Sequence, residues 1–196
     1  MVSLLNANLT ALWISLGVVG GIVILVGLWI LVTYNSLVKL KNNAEEGYST
    51  MDVYLKKRYD LIPNLVNTVK GYAKHEKETL DAVILARNSA MGASNVKDKV
   101  KQENALTSTL KNLFALSENY PELKANTNFM SLQEQLQSVE QDIANARKYY
   151  NSVVNMLNIK IEMFPSNLIA KWFKFSKRDM FEVSNAVEKE NVKVEF

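Results

Sequence analysis

The chain has a single histidine, His75, which opens the segment HEKET at residues 75 to 79. A zinc-protease helix needs His-Glu-x-x-His, so that two imidazoles one turn apart hold the metal while the glutamate activates water. Position 79 is threonine, so the second ligand is missing. A di-iron bundle needs Glu-x-x-His pairs on facing helices, and with one histidine and Tyr72 three residues before it that inventory also fails. A nucleophilic serine would have to use the same histidine, and no G-x-S-x-G elbow presents one. P-loop and dinucleotide-binding glycine fingerprints are absent. The adjacent acids Glu45 and Glu46 would point about 100° apart on a helix rather than converge. Lys74, Glu76, Lys77 and Glu78 surround His75 and make it part of a solvated helix face. These residue types and spacings point away from an enzyme, and they assign no catalytic, cofactor-binding or metal-binding residue.

Cysteine is absent, which removes disulfides, thiolate nucleophiles and a lipid-attachment cysteine together. The formal charge of +3 is too small to argue for nucleic acid. What the chain does carry is a charge-free apolar run at residues 11 to 33, ALWISLGVVGGIVILVGLWILVT, ahead of the first charged residue, Lys39. As a helix it spans roughly 34 Å, enough to cross a bilayer. Trp13 near one end, and Trp29 with Tyr34 near the other, suit interfacial positions. A cleaved signal peptide is the competing reading, but there is no basic segment before the run, and the run exceeds the usual apolar core of such a peptide. Residues 1 to 10 lack Lys and Arg, whereas Lys39, Lys41, Lys56, Lys57 and Arg58 follow the span. The positive-inside rule then puts residues 1 to 10 outside and the larger part in the cytoplasm. Within the span, Gly17 and Gly21 have the small-xxx-small spacing that lets two helices approach closely.

Beyond the span, glycine and proline are sparse and apolar residues recur at steps of three and four, the helical period. The cleanest series is Leu55, Tyr59, Ile62, Val66, Val69, Ala73, and Leu80 and Val83 resume its phase after a polar break at Glu76. A first long helix is therefore expected to run to Arg87. Gly92 would end it, and Ser94 or Asn95 would cap a second helix from Val96 to Leu116, with Val100, Ala105, Leu106, Leu110, Leu113 and Phe114 near one face. Pro121 disfavours helical geometry at Tyr120. Asn126, Thr127 or Asn128 would cap a third helix carrying Leu132, Leu136, Val139, Ile143, Ala146, Tyr150, Val153 and Leu157, which ends before Pro165. Some of Asn64, Asn67, Asn126, Asn128, Asn151 and Asn155 would be buried and fix register, or all would be exposed positions and caps.

Two local features decide where the far end of the chain goes. RYDLIPNL, residues 58 to 65, places Pro63 inside the helical series. As a turn, Asp60 would cap a new helix; as a kink, the carbonyl of Tyr59 would lose its helical donor and would turn to Asn64, Asn67 or water. The unbroken phase favours the kink. The second feature is PSNLIAKWFKFSKR, where Leu168, Ile169, Trp172, Phe173 and Phe175 sit among Lys171, Lys174, Lys177 and Arg178. It reads either as an interfacial helix with rings in the headgroup boundary, or as a lid over the end of the bundle with its lysines in water. With a kink at Pro63 the helices run out, back and out, so Phe173 is expected far from Tyr34 and the lid gains.

YNSLVKLKNNAEEGYSTMDVYLKKRYDLIPNLVNTVKGYAKHE, then ARNSA, then LSENYPELKANTNFMSLQEQLQSVEQDIANARKYYNSVV, and finally FPSNLIAKWFKF resemble the LemA family in content and order, over roughly residues 34 to 182. Gly47-Tyr48-Ser49 departs from the family's commoner Ala-Trp-Ser. The resemblance implies a bacterial protein with an anchor and an antiparallel bundle, no established enzymatic activity, and a relative, MamQ, tied to formation of the magnetosome membrane. Other members occur beside membrane-bound proteases or TPM-domain proteins. The fold expected is all-α: a short tail at 1–10, a transmembrane helix at 11–33, a bundle of three long helices plus a short C-terminal helix at 34–182, and a polar tail at 183–196. The function expected is a non-enzymatic, single-pass scaffold of the cytoplasmic (inner) membrane, partnered by lipid and by further copies of itself. An adaptor for a membrane protease or other membrane client is the alternative.

Overall fold

The structure, a computed structural model, describes the backbone of residues 2–181 and side chains from Trp13 onward. These residues form six helices: α1 (Val2–Tyr72), α2 (Lys77–Gly92), α3 (Val96–Ser117), α4 (Pro121–Lys124), α5 (Thr127–Glu162) and α6 (Ser166–Trp172). No strand occurs among the described residues. The backbone of residues 2–10, expected as a tail, belongs to α1, and the polar tail expected at 183–196 lies outside the described residues. The chain divides into two compact units, one of residues 1–42 with 156–177, the other of residues 43–155 with 178–196.

The second unit holds the larger core. Leu55, Tyr59, Ile62, Val66, Val69 and Ala73 are all buried, as are Val100, Leu106, Leu110 and Leu113 of α3 and Leu136, Val139, Ile143, Ala146, Tyr150 and Val153 of α5. Their steps of three and four keep each set on one face of its helix, with the buried Glu103 filling the gap between Val100 and Leu106 and Ala73 lying just past the end of α1. Asn95 caps α3, its side chain accepting from the Asp98 N–H at 2.9 Å. Asn126 caps α5 in the same way at Phe129 (2.9 Å) and donates to the Tyr72 hydroxyl at 2.9 Å. Gly47 meets Tyr150, Arg58 meets Glu140 and Tyr72 meets Asn126, so numbers rise on α1 as they fall on α5. A Cβ at Gly47 would lie 3.1 Å from the Tyr149 ring, so alanine there requires that half-exposed ring to give way.

The expected long helix to Arg87 is two helices. Lys74 to Glu78 is a full turn of polar side chains with nothing to bury. Glu76 leaves helical geometry (φ −93°, ψ 38°), and its carboxylate accepts from the Tyr120 hydroxyl at 2.9 Å. Leu80 and Val83 continue the phase because α2 buries them in the same core, which hides the break in a one-dimensional reading.

Pro63 lies inside α1, with helix on both sides. The donor to the Tyr59 carbonyl is neither Asn64 nor Asn67, which are both exposed. It is the Nε–H of Arg87, reaching across from α2 at 2.7 Å. A charged donor from another helix thus replaces the bond proline cannot make.

At the centre of the unit sits a buried ionic cluster. Arg58 is 0% exposed and Glu103 1%. The Arg58 guanidinium pairs with Glu103 and, at 2.5 Å, with Glu140, and donates to Thr107 Oγ1 at 3.1 Å. The Tyr59 hydroxyl donates to the other Glu103 oxygen. Burial, chiefly, and then the positive charge of Arg58 hold Arg147 below the ordinary arginine value, with Glu140 acting the other way. Its guanidinium lies 4.8 Å from the centroid of the buried Phe181 ring. Asn151 clips the main chain of Phe181 on both sides, accepting from its N–H at 2.7 Å and donating to its carbonyl at 3.1 Å. Of the asparagines singled out in the sequence, the half-buried Asn151 thus holds a non-helical stretch against α5 rather than setting the register between helices.

Burial is also the first cause that pushes the Tyr59 phenol up to about 12. The unfolded phenol titrates near 10, so the folded state holds its proton more tightly. The resulting stabilisation is complete below about pH 10 and is lost as pH rises through about 12. Tyr59→Phe is therefore expected to flatten the fall in melting temperature over that alkaline window relative to the parent; equal slopes would contradict the assignment.

Candidate membrane interface

In the first unit, the side chains of residues 13–32 are almost all exposed, and the most apolar window of α1 has a mean hydropathy of 2.6 with none of it buried. The helix is long and apolar enough to cross a membrane. Gly17 and Gly21 lie on it, and among the described residues nothing beyond the helix's own neighbouring backbone comes within 4 Å of a Cβ built there. The first residues of the helix to be buried by the rest of the unit are Thr33 (6% exposed) and Leu37 (0%).

Leu37 begins a small core with Leu157 of α5 and Ile169 and Ala170 of α6, against which Ile30, Tyr34, Leu40, Ile161 and Phe175 pack. The joint between α5 and α6 is closed by Ser166, whose hydroxyl donates to the carbonyls of Lys160 (2.7 Å) and Met163 (2.9 Å). Lys160 in turn donates to Ser36 Oγ at 2.5 Å, tying the end of α5 to α1. After α6, Lys174 takes a left-handed backbone (φ 57°), unusual for a residue with a Cβ, and the turn it makes brings Phe175 back onto Tyr34 with ring centroids 6.0 Å apart.

The residues singled out around α6 divide by face. Ile169 is buried and Phe175 half-buried, whereas Leu168, Lys171, Trp172, Phe173 and Lys174 are exposed. One side of α6 covers the small core and the other, with Trp172 at 73% exposure, looks outward. Phe164 and Met163, which composition does not bring out, extend the exposed apolar edge.

The expectation that Phe173 lies far from Tyr34 is overturned: their ring centroids are 4.6 Å apart. The extra reversal at residues 73–76 makes the number of long passes even, so the chain after α5 returns to the helix it left. Arg58, one of the cations following the span, is buried in the ionic cluster and is not part of a juxtamembrane charge. Lys39 and Lys41 are exposed.

These features define an all-helical protein with one helix long and apolar enough to cross a membrane and, among the described residues, no group of three His, Asp or Glu side chains placed to hold a metal. The chain belongs to the LemA family, whose family model matches residues 47–196. Among its relatives, Protein LemA of Metamycoplasma hominis is 25% identical over 164 residues, covering 82% of this chain and 73% of that protein. Magnetosome proteins MamQ 2 and MamQ 1 of Paramagnetospirillum magneticum are each 22% identical over 179 residues, covering 78% of this chain and 66% of theirs.

Proposed function

We propose that this chain is a single-pass anchored scaffold of a bacterial inner membrane, with its antiparallel four-helix bundle on the cytoplasmic side, and that it organises the bilayer by self-association rather than by chemistry. The observation that carries the reading is the exposed apolar stretch of α1, which leads without a helical break toward a tightly packed core. The magnetosome relatives support a role at a membrane. Lys39 and Lys41 support the cytoplasmic placement through the positive-inside rule. Gly17 and Gly21, clear of the other described residues, are available as a pairing face between spans.

Imaging the full-length protein extracted with its native lipids tests this directly. Clusters of several copies on bilayer fragments of altered curvature are expected. Single copies in mild detergent, together with liposomes left unchanged by the purified protein, would sink the scaffold reading.

A second reading, an adaptor for a membrane client, draws support from an open groove of about 390 Å³ between α3 and α5, lined by Leu110, Phe114 and Leu136 with Lys111, Gln137 and Glu140 at its polar edge. Crosslinking in cells from a probe at Lys111 separates the two, since an adaptor yields a second protein there and a scaffold yields only copies of this chain.

A further inference from the structure

We infer that the outer face of α6 and the joint before it form a second membrane contact, an interfacial foot that lies in the headgroup layer beside the exit of α1 and binds anionic phospholipid. This rests on the reading of α1 as a membrane anchor and adds a lipid surface to it. Three observations carry it.

Depth comes first. Residues 13–32 have no charge and, apart from the half-buried Gly27 and Ile30, no cover from the other described residues; Leu31 and Val32 are still exposed, so hydrocarbon extends to about Val32, and Tyr34 stands two residues beyond, at the level where amphipathic rings concentrate. Phe173 touches Tyr34 at 4.6 Å between ring centroids, which puts α6 at that same depth. The face of α6 that is not packed is the second observation. Leu168 and Trp172, one turn apart, share that face, Phe164 (75% exposed) stands out from the joint before the helix, and Phe173 stacks on Trp172 with centroids 5.9 Å apart. Large rings left this exposed beside a bilayer exit have an apolar phase within reach, and the indole N–H keeps a polar partner at the headgroups.

Charge is the third observation. Between Glu162 and Asp179 there is no carboxylate side chain, and Glu162 itself pairs with Lys177. Lys171 and Lys174 are exposed, without an ion-pair partner among the described residues. Two cations on the rim of an apolar edge match a layer of phosphates, whose negative surface potential attracts exposed lysines. A soluble acidic peptide would also meet the lysines, but it would leave Phe164, Leu168 and Trp172 in water.

The absence of cysteine makes the test direct, because one engineered cysteine carries one spin label. The full-length protein, labelled at Val23→Cys or at Leu168→Cys, is reconstituted into vesicles of phosphatidylcholine with phosphatidylglycerol. Collisions with oxygen, which dissolves in lipid, are compared with those with a water-soluble nickel chelate. The label at 23 is expected in hydrocarbon and the label at 168 at headgroup depth, several-fold less open to nickel than the same label in detergent-free water. Lys171→Glu with Lys174→Glu, both at exposed positions that spare the fold, is expected to raise nickel access at 168 several-fold. Pure phosphatidylcholine vesicles should do the same.

If the label at 168 is fully open to nickel while that at 23 stays in hydrocarbon, the foot is wrong and the anchor stands. A label at 23 that is open to nickel removes the anchor and the foot together. Protection at 168 from both reagents, with dipolar broadening between labels, would mean that a second copy covers this face and would overturn the lipid assignment. Nickel access at 168 indifferent to charge reversal and to lipid charge would overturn the phosphate contact.

Discussion

Arg58→Met is expected to cost about 3–5 kcal/mol of stability, because it leaves the carboxylate of Glu103 buried with no cation beside it. The total stability of a domain is about 5–15 kcal/mol, so this one change would remove a large share of it. Methionine fills much of the arginine stem's volume, and the loss would therefore come from charge rather than from a cavity. Removing the acid as well, in Arg58→Met with Glu103→Leu, should recover most of the loss, since neither ion then has to be desolvated. Glu140 is half-buried with access to water and tolerates losing its partner more cheaply. The measurement is urea unfolding of the full-length protein in mild detergent, followed by helical circular dichroism. A single variant within about 1 kcal/mol of the parent, the range of exposed pairs, would contradict the assignment of this cluster as a buried one.

The second large effect concerns the bond from Arg87 to the Tyr59 carbonyl. Arg87→Leu is expected to cost about 1–3 kcal/mol, the desolvation penalty of a buried acceptor left without a donor. Pro63→Ala restores an N–H one turn beyond that carbonyl and lifts the cost of an interior proline, about 3 kcal/mol. The two changes should therefore not add. In the Pro63→Ala background the arginine should matter less, by about 1–2 kcal/mol, a coupling in the range seen for residues that share one network. A double-mutant cycle by denaturant unfolding reads it, and strict additivity would mean that Arg87 does not replace the missing helical bond.

These two clusters also mark where the sequence stops being readable. The core series from Leu55 to Ala73 and from Leu136 to Val153 follows from period alone, because burial of one helix face is a local property. The caps Asn95 and Asn126 follow from local chemistry too, each side chain bonding an N–H three residues on. Arg58 and Glu103 look like surface charges in one dimension. Only packing between α1 and α3 shows that they neutralise each other, 45 residues apart, and no local signal announces it. Arg87 is equally hidden, and the asparagines near Pro63 are the nearer but mistaken candidates for its role.

The misplaced end of the chain has a related cause. The heptad phase is kept from Val69 to Val83, across the polar break at Glu76, whether one helix carries it or two helices share a core. The turn at residues 73–76 is marked only by a run of polar side chains, and the heptad phase argues against reading it. That single reversal changes the parity of the passes and moves Phe173 from the opposite end to the side of Tyr34. In the same way, the two readings of the segment around α6 look like alternatives in one dimension, whereas the helix uses one face for each: Ile169 inward and Trp172 outward.

The contact between Tyr34 and Phe173 bears on the freedom of the anchor. A lone helix crossing a bilayer leans in any direction with nearly equal ease, and only packing or interfacial side chains choose among the directions. On the proposed placement of α6 beside α1 at headgroup depth, leaning away from α6 would lift Trp172 and Leu168 into water, and leaning toward it would press Lys171 and Lys174 below the phosphates. The lean would then acquire a preferred compass bearing, set by a helix of seven residues.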